Sequence, residues 1–238
     1  MPRHDILVAL FSFNEGEKLK SIISQFPSDR PYDLLFVDDG SNDGSFEFLK
    51  ENNYEVIRHE TNRGIGCGIR EAISFGRQND YKILVIMAAN GKMRPTEISR
   101  LTDPIINEGY DYLQGSRNLP GGQSPHLPFF RKIMINLFTE IVNLFMEFKG
   151  TDITCGFRAY KLSLFSNPRF NLDQSWLDKY EMEYYIHYHV LKGGYRVKEA
   201  PVSMVYPAQT KDYSKIKPFS GWWSMVRPWI YLILKIRK

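Results

Sequence analysis

Cysteine is scarce in this chain of 238 residues: Cys67 and Cys155 stand far apart, and no Cys-x-x-Cys pair exists. Neither a disulfide framework nor a structural zinc site fits that count and spacing, and a reducing compartment is expected. Charge of one sign is also in short supply, because 31 Lys and Arg face 27 Asp and Glu for a net +4. Nucleic-acid binding, which relies on clustered cations, is therefore not expected, whereas mild attraction to phosphates or anionic lipid is. The apolar run Trp229 to Leu234 is far shorter than the roughly 20 residues needed to span a bilayer. At the other end, Met1 leads through Arg3, His4 and Asp5 into an apolar run too short for a secretory leader, which predicts a chain kept in the cytoplasm.

What is present suffices for one sizeable core, with 43% hydrophobic and 24% charged residues. Short apolar runs at Ile6 to Leu10, Leu34 to Val37, Glu55 to His59 and Ile83 to Met87 alternate with amphipathic stretches. That alternation predicts βαβ units, a mostly parallel sheet flanked by helices, and a ligand site in the loops at the strands' carboxyl ends.

A long helix is predicted from Phe129 to Phe148, with Lys132, Asn136, Thr139, Glu140, Asn143 and Glu147 recurring around a wide apolar face. Core packing and a helix half-sunk in a bilayer both fit. A further helix is expected from Trp176 to Leu191, ending at Gly193 and Gly194, and then a strand from Arg196 into Pro201. Residues 213–238 change character: Trp222, Trp223, Trp229 and Tyr231 stand beside Arg227, Lys235, Arg237 and Lys238. The division expected is a catalytic unit over 1–212 and a C-terminal amphipathic segment close to a membrane, with a cap or oligomer contact as the alternative use of those aromatics.

The loop Phe36-Val37-Asp38-Asp39-Gly40-Ser41-Asn42-Asp43-Gly44-Ser45 places carboxylates at a strand end, where they suit a nucleotide base or ribose and equally a turn with a helix cap. Its company is more specific. In order come Val8-Ala9-Leu10-Phe11-Ser12-Phe13-Asn14-Glu15, this Asp38-Asp39 loop, Asn62-Arg63-Gly64-Ile65-Gly66, Gly115-Ser116-Arg117, Asp152-Ile153-Thr154-Cys155-Gly156-Phe157-Arg158-Ala159-Tyr160, and Glu199-Ala200-Pro201-Val202. The series resembles the family 2 glycosyltransferases over most of the chain, especially the dolichyl-phosphate mannose synthase-like branch. Phe11 and Phe13 stand where that family usually has Pro and Tyr.

The resemblance implies a GT-A fold, Rossmann-like, and inverting transfer of a sugar from a nucleoside-diphosphate sugar to a polyprenyl or dolichyl phosphate or another lipid-linked acceptor, at the cytoplasmic face of a membrane. It implies that Glu15, Asp38 and Asp39 hold base and ribose, that Gly64 and Gly66 give backbone access, and that Arg117 and Arg131 grip the acceptor phosphate. Snorkelling at the helix start is the other reading of Arg131. A serine common one turn further on in that branch is replaced by Ile135. If the acceptor were a saccharide hydroxyl, as in surface polysaccharide synthesis, Asp152 would be the candidate base or else a turn residue; a nucleotide-sugar-binding pseudoenzyme is the third reading. Nucleotidyl transfer is disfavoured, because Leu10 to Glu15 holds no Gly-rich basic loop.

One departure stands out. Met87-Ala88-Ala89-Asn90-Gly91-Lys92 occupies the place of the family's Asp-x-Asp metal motif, and both carboxylates are missing. Mg and Mn prefer anionic oxygen ligands, so no metal is expected to be required, and Lys92 is expected to supply the positive charge beside the departing diphosphate. The alternative is Mg or Mn held weakly through Asn90 and the diphosphate, with Lys92 and Arg94 merely solvated.

Overall fold

The apolar runs become strands of one sheet, and those at β1, β2 and β4 are buried on both faces. The computed structural model describes residues 4–146, 148–208 and 220–237. In chain order the strands are β1 (Ile6–Ser12), β2 (Asp33–Asp38), β3 (Glu55–Arg58), β4 (Ile83–Ala88), β5 (Tyr112–Ser116), β6 (Arg158–Lys161) and β7 (Val197–Pro201). The helices are α1 (Glu17–Ile23), α2 (Ser45–Glu51), α3 (Ile65–Gln78), α4 (Ile98–Glu108), α5 (Phe129–Phe145), α6 (Glu181–Lys192) and α7 (Ser220–Ile233).

Successive residues of a strand point to opposite faces, so each central strand feeds two cores. Val8, Leu10, Phe36, Val85 and Met87 pack with Leu19, Leu49, Ile98 and Leu101 of α1, α2 and α4. Leu7, Ala9, Leu35, Leu84 and Ile86 pack with Ile69, Ala72 and Ile73 of α3 and with Met182, Tyr185 and Ile186 of α6. Burial on both sides is why β1, β2 and β4 read as continuous apolar runs.

The sheet order is β3-β2-β1-β4-β6-β5-β7. The expected mostly parallel architecture is present, with β6 alone antiparallel to both its neighbours. Every other strand therefore ends on one edge of the sheet, and the loop that enters β6 lies on that edge too.

The long helix α5 stops at Phe145, and part of its apolar face is turned outward. Thr139 and Asn143 are buried, and Asn143 closes the turn at Gly150 with bonds in both directions at 2.8 and 3.0 Å. Exposed instead are Phe129 (78%), Phe130 (73%) and Leu144 (79%), together with Ile133, Leu137, Ile141 and Phe145. In the tail, Tyr213 and its neighbours to Phe219 lie outside the described residues. Helix α7 packs onto α6: Met225 and Trp229 join Phe138, Val142 and Tyr184 in a third core, and buried Glu181 accepts from Ser224 Oγ at 2.6 Å and pairs with Arg227.

Candidate active site

The loops after β1 and β2 are stitched into one platform. Asn14 sits at φ 50°, a left-handed conformation that Asn tolerates. Its N–H donates to Ser41 Oγ at 2.9 Å, its Oδ1 accepts from Asn42 N at 2.9 Å, and Gly16 N donates to Ser45 Oγ at 3.1 Å. The Asn-Glu signature thus sets the shape of the turn that ends in Glu15, which is itself buried. Asp38 is fully buried and accepts from Ser41 N at 3.2 Å. Asp39, half-buried, accepts from Arg63 N (2.7 Å) and Gly64 N (3.0 Å) and contacts His59 Nδ1 at 2.6 Å.

Gly64 and Gly66 have a packing role that the sequence did not suggest. A Cβ on Gly66 would lie 1.9 Å from Leu177 O and 2.5 Å from Lys179 O, and one on Gly64 would lie 2.4 Å from Asp178 O. Cys67 N donates to that same Asp178 carbonyl at 3.1 Å. The two glycines admit the Leu177 to Lys179 segment against the start of α3. Gly66→Ala should therefore displace that segment, lowering the thermal transition by several degrees, as a cost of about 1–3 kcal/mol from overpacking implies. An unchanged melting curve would show that the contact yields cheaply.

Across the edge, five elements meet at a cationic cluster. Arg117, just past β5, makes a two-pronged contact with Asp152, Nε to Oδ2 at 2.6 Å and Nη2 to Oδ1 at 2.7 Å. Its Nη2 also donates to Thr154 Oγ1 at 2.7 Å, and its Nη1 to Tyr206 Oη at 2.7 Å. Both partners of the ion pair are buried. Burial alone would raise the Asp152 pKa, but the adjacent guanidinium reverses this and holds it below the ordinary carboxylate range. Glu199 of β7 fixes the turn from beneath, accepting from Thr151 N at 2.8 Å and Asp152 N at 3.1 Å. Arg158 anchors the loop's far end by donating to the carbonyls of Ile153, Cys155 and Glu183.

Asp152 is thus corrected from candidate base to structural partner: a buried, ion-paired carboxylate with a lowered pKa is a poor proton acceptor. Arg117 has donors committed on three sides. Arg131 and Lys92 complete the cluster around the ring of Tyr206, with the guanidinium 5.9 Å and the ammonium 5.4 Å from its centre. Burial raises the Tyr206 pKa even against the opposing pull of Arg117 and Arg131, so its hydroxyl stays protonated at neutral pH. Tyr206, His59 and Glu71 carry no sequence signal; only the folded chain brings them to the site.

The loop after β4 holds no carboxylate from Ala88 to Arg94, and Asn90 Oδ1 already accepts from Lys92 N at 3.2 Å. Val205 N donates to Lys92 O at 2.8 Å, which ties this loop to the Tyr206 segment. That donor set does not fit a tight Mg or Mn site.

The family model described as glycosyl transferase family 2 matches residues 10–167. The chain belongs to the family 2 glycosyltransferases. It is 29% identical over 212 residues to a polyprenol monophosphomannose synthase of Mycolicibacterium smegmatis, covering 85% of this chain and 78% of that protein. It is 26% identical over 206 residues to an undecaprenyl-phosphate mannosyltransferase of Micrococcus luteus, covering 84% and 83%. The GT-A fold recurs in mannosyl-3-phosphoglycerate synthase of Rubrobacter xylanophilus at a TM-score of 0.70 and 18% identity, over 97% of this chain and 74% of that one. A glucosyl-3-phosphoglycerate synthase of Mycobacterium tuberculosis, solved with Mn2+ and UDP-glucose, superposes with a TM-score of 0.67 at 17% identity, over 98% of this chain and 78% of that one.

Proposed function

We propose that the chain is an inverting hexosyltransferase that moves a sugar from a nucleoside-diphosphate sugar to a polyprenyl or dolichyl phosphate at the cytoplasmic surface of a membrane. The observation that carries this reading is the convergence of Lys92, Arg117 and Arg131 on Tyr206, at the same sheet edge as the Glu15, Asp38 and Asp39 platform. A phosphate oxygen of the acceptor attacks the anomeric carbon in line. The new oxygen–carbon bond forms as the bond from that carbon to the diphosphate breaks, with inversion and with no proton to remove. An anionic nucleophile fits a site whose one candidate base is locked to Arg117.

In this reading Glu15, Asp38 and Asp39 orient the donor nucleoside. Arg131 meets the acceptor phosphate, with Arg117 and Tyr206 holding the wall behind it. The Lys92 ammonium stands beside the departing diphosphate, so that added metal is not required.

The membrane-facing surface is the apolar stripe of α5. Phe130, Leu137 and Leu144 are spaced seven residues apart and share one side of the helix. Large exposed patches of this kind mark interaction surfaces, and each such side chain gains about 1.5–3 kcal/mol on leaving water. Among the described residues, no helix is long and apolar enough to cross a membrane. Because α7 is packed into the fold, deleting it would expose the core under it, so α5 is the cleaner place to test.

The test offers a panel of radiolabelled nucleotide sugars and polyprenyl phosphate in anionic liposomes. The wild type should glycosylate the lipid and float with the vesicles. Phe130→Glu with Leu137→Glu and Leu144→Glu should remain in the supernatant and lose lipid transfer, while still binding the donor. Donor binding by the wild type without transfer to any lipid phosphate would return the chain to a nucleotide-sugar binder.

A further inference from the structure

His59, directly after β3, is buried between two carboxylates. Its Nδ1 lies 2.6 Å from Asp39 Oδ1, and its Nε2 lies 2.7 Å from Glu71 Oε2 on α3. A carboxylate only accepts, and a neutral imidazole carries a single N–H, so both contacts are hydrogen bonds only when both ring nitrogens are protonated. The charged groups facing His59 are Asp39 from the loop after β2, Glu71 from α3, and Arg63 from the intervening loop, whose Nη1 donates to Glu71 Oε1 at 2.8 Å. Cys67 of α3 completes the surroundings, with Sγ 3.7 Å from Glu71 Oε1.

His59, Cys67 and Glu71 could bring ligand-type atoms within 4.8 Å of one another. Two ligands on one tetrahedral zinc, however, sit roughly 3.3 Å apart for bonds near 2 Å. The 2.7 Å between Nε2 and Oε2 is a hydrogen-bond length, and Arg63 already engages the other Glu71 oxygen. The arrangement is a chain of ion pairs running Asp39, His59, Glu71, Arg63.

That chain ends on the donor platform. A carboxylate offers about four acceptor positions. Among the described residues, Asp39 commits Oδ1 to Arg63 N and His59, and Oδ2 to Gly64 N, which leaves one position on Oδ2. We infer that His59 is a positioning residue whose imidazolium fixes the Asp39 carboxylate so that this remaining acceptor meets the donor nucleoside, and that the grip on the nucleotide weakens when His59 loses its proton. The inference rests on the reading of Asp39 as a donor ligand.

The hydrogen bond to Asp39 raises the His59 pKa, burial opposes it, and Glu71 adds to the rise, for a net upward shift. A raised folded-state pKa contributes stability and order that are complete below the unfolded value of roughly 6.5 and are lost as pH rises through the folded value. The window therefore lies on the alkaline side of an ordinary histidine.

The experiment is calorimetric titration of the whole chain with UDP and with GDP across that window, for the wild type and for His59→Gln, together with nitrogen-15 NMR of the wild-type ring. The wild type should show both ring N–H groups near neutral pH, and its nucleotide affinity should fall by roughly tenfold or more as His59 deprotonates, the worth of one charged hydrogen bond. His59→Gln should bind more weakly at neutral pH and flatten the profile, which also separates the effect from ionisation of the nucleotide. A pH-independent wild-type affinity, or a neutral His59 ring at neutral pH, overturns the inference and leaves the donor site standing. If neither nucleotide binds the wild type at any pH, the donor-site reading fails and takes this inference with it.

Discussion

Turnover of Lys92→Ala is expected to fall by about a hundredfold, the typical cost of removing one preorganised charge from a developing anion. The wild type should keep its rate in excess EDTA. The reasoning is electrostatic: the departing diphosphate gathers negative charge, and the Ala88 to Arg94 loop has no carboxylate with which to hold a divalent cation there. Lys92 is held near by the Val205 bond to its own carbonyl and by the Tyr206 ring beneath its ammonium. Donor affinity in the variant should change less than turnover, because the proposed nucleoside contacts lie elsewhere. The opposite pattern, with activity abolished by EDTA, restored by Mn, and indifferent to Lys92→Ala, would sink the idea and make the metal the acting charge.

Arg117→Ala is expected to destabilise the fold by about 3–5 kcal/mol, because it strands the buried Asp152 carboxylate without its cation. Arg117→Lys should recover part of that loss, since it keeps the charge but not the fork that spans Asp152, Thr154 and Tyr206. The acid limb of stability provides a second check. The Asp152 pKa is lowered in the fold, so its contribution is present above the unfolded value of roughly 3.9 and is lost as pH falls through the folded one. Chemical denaturation at neutral pH and in the acid range measures both. Equal stability of Arg117→Ala and wild type would mean that the pair is exposed in solution and that Arg117 is available to the acceptor.

The parallel half of the fold was legible because strands buried on both faces leave unbroken apolar runs, and β1, β2 and β4 extend those runs by only a residue or two. β5 and β6 were not anticipated. Tyr112-Leu-Gln-Gly-Ser and Arg158-Ala-Tyr-Lys are short and carry buried polar groups, Gln114 and Arg158, whose partners are loop carbonyls that a one-dimensional pattern does not show. The helix expected from Trp176 begins instead at Glu181 after a short 3-10 turn, since the preceding segment is committed to the glycines of α3. At the site, the motif residues come together on loops at one edge of the sheet. Motif order does not show which residues also serve the scaffold, as Gly64 and Gly66 do for a packed segment and Asp152 does for Arg117. The burial of Asn143 is not legible either, because helical periodicity sorts polar from apolar and does not say which polar residue finds a buried partner.

The reversal of β6 has a consequence for redesign. The proposed donor platform is built from loops that leave β1 and β2, whereas Asp152 lies on a loop that enters β6 and Tyr206 follows β7. The two sets are separate stretches of chain that meet at the Lys92 loop, where Val205 N donates to Lys92 O. Grafting the 117–157 segment together with 202–206 from a relative of different acceptor preference is thus a two-cassette exchange that leaves Glu15, Asp38, Asp39 and the His59 chain untouched. On the proposed function, such an exchange is expected to change acceptor range while sugar-nucleotide choice is kept.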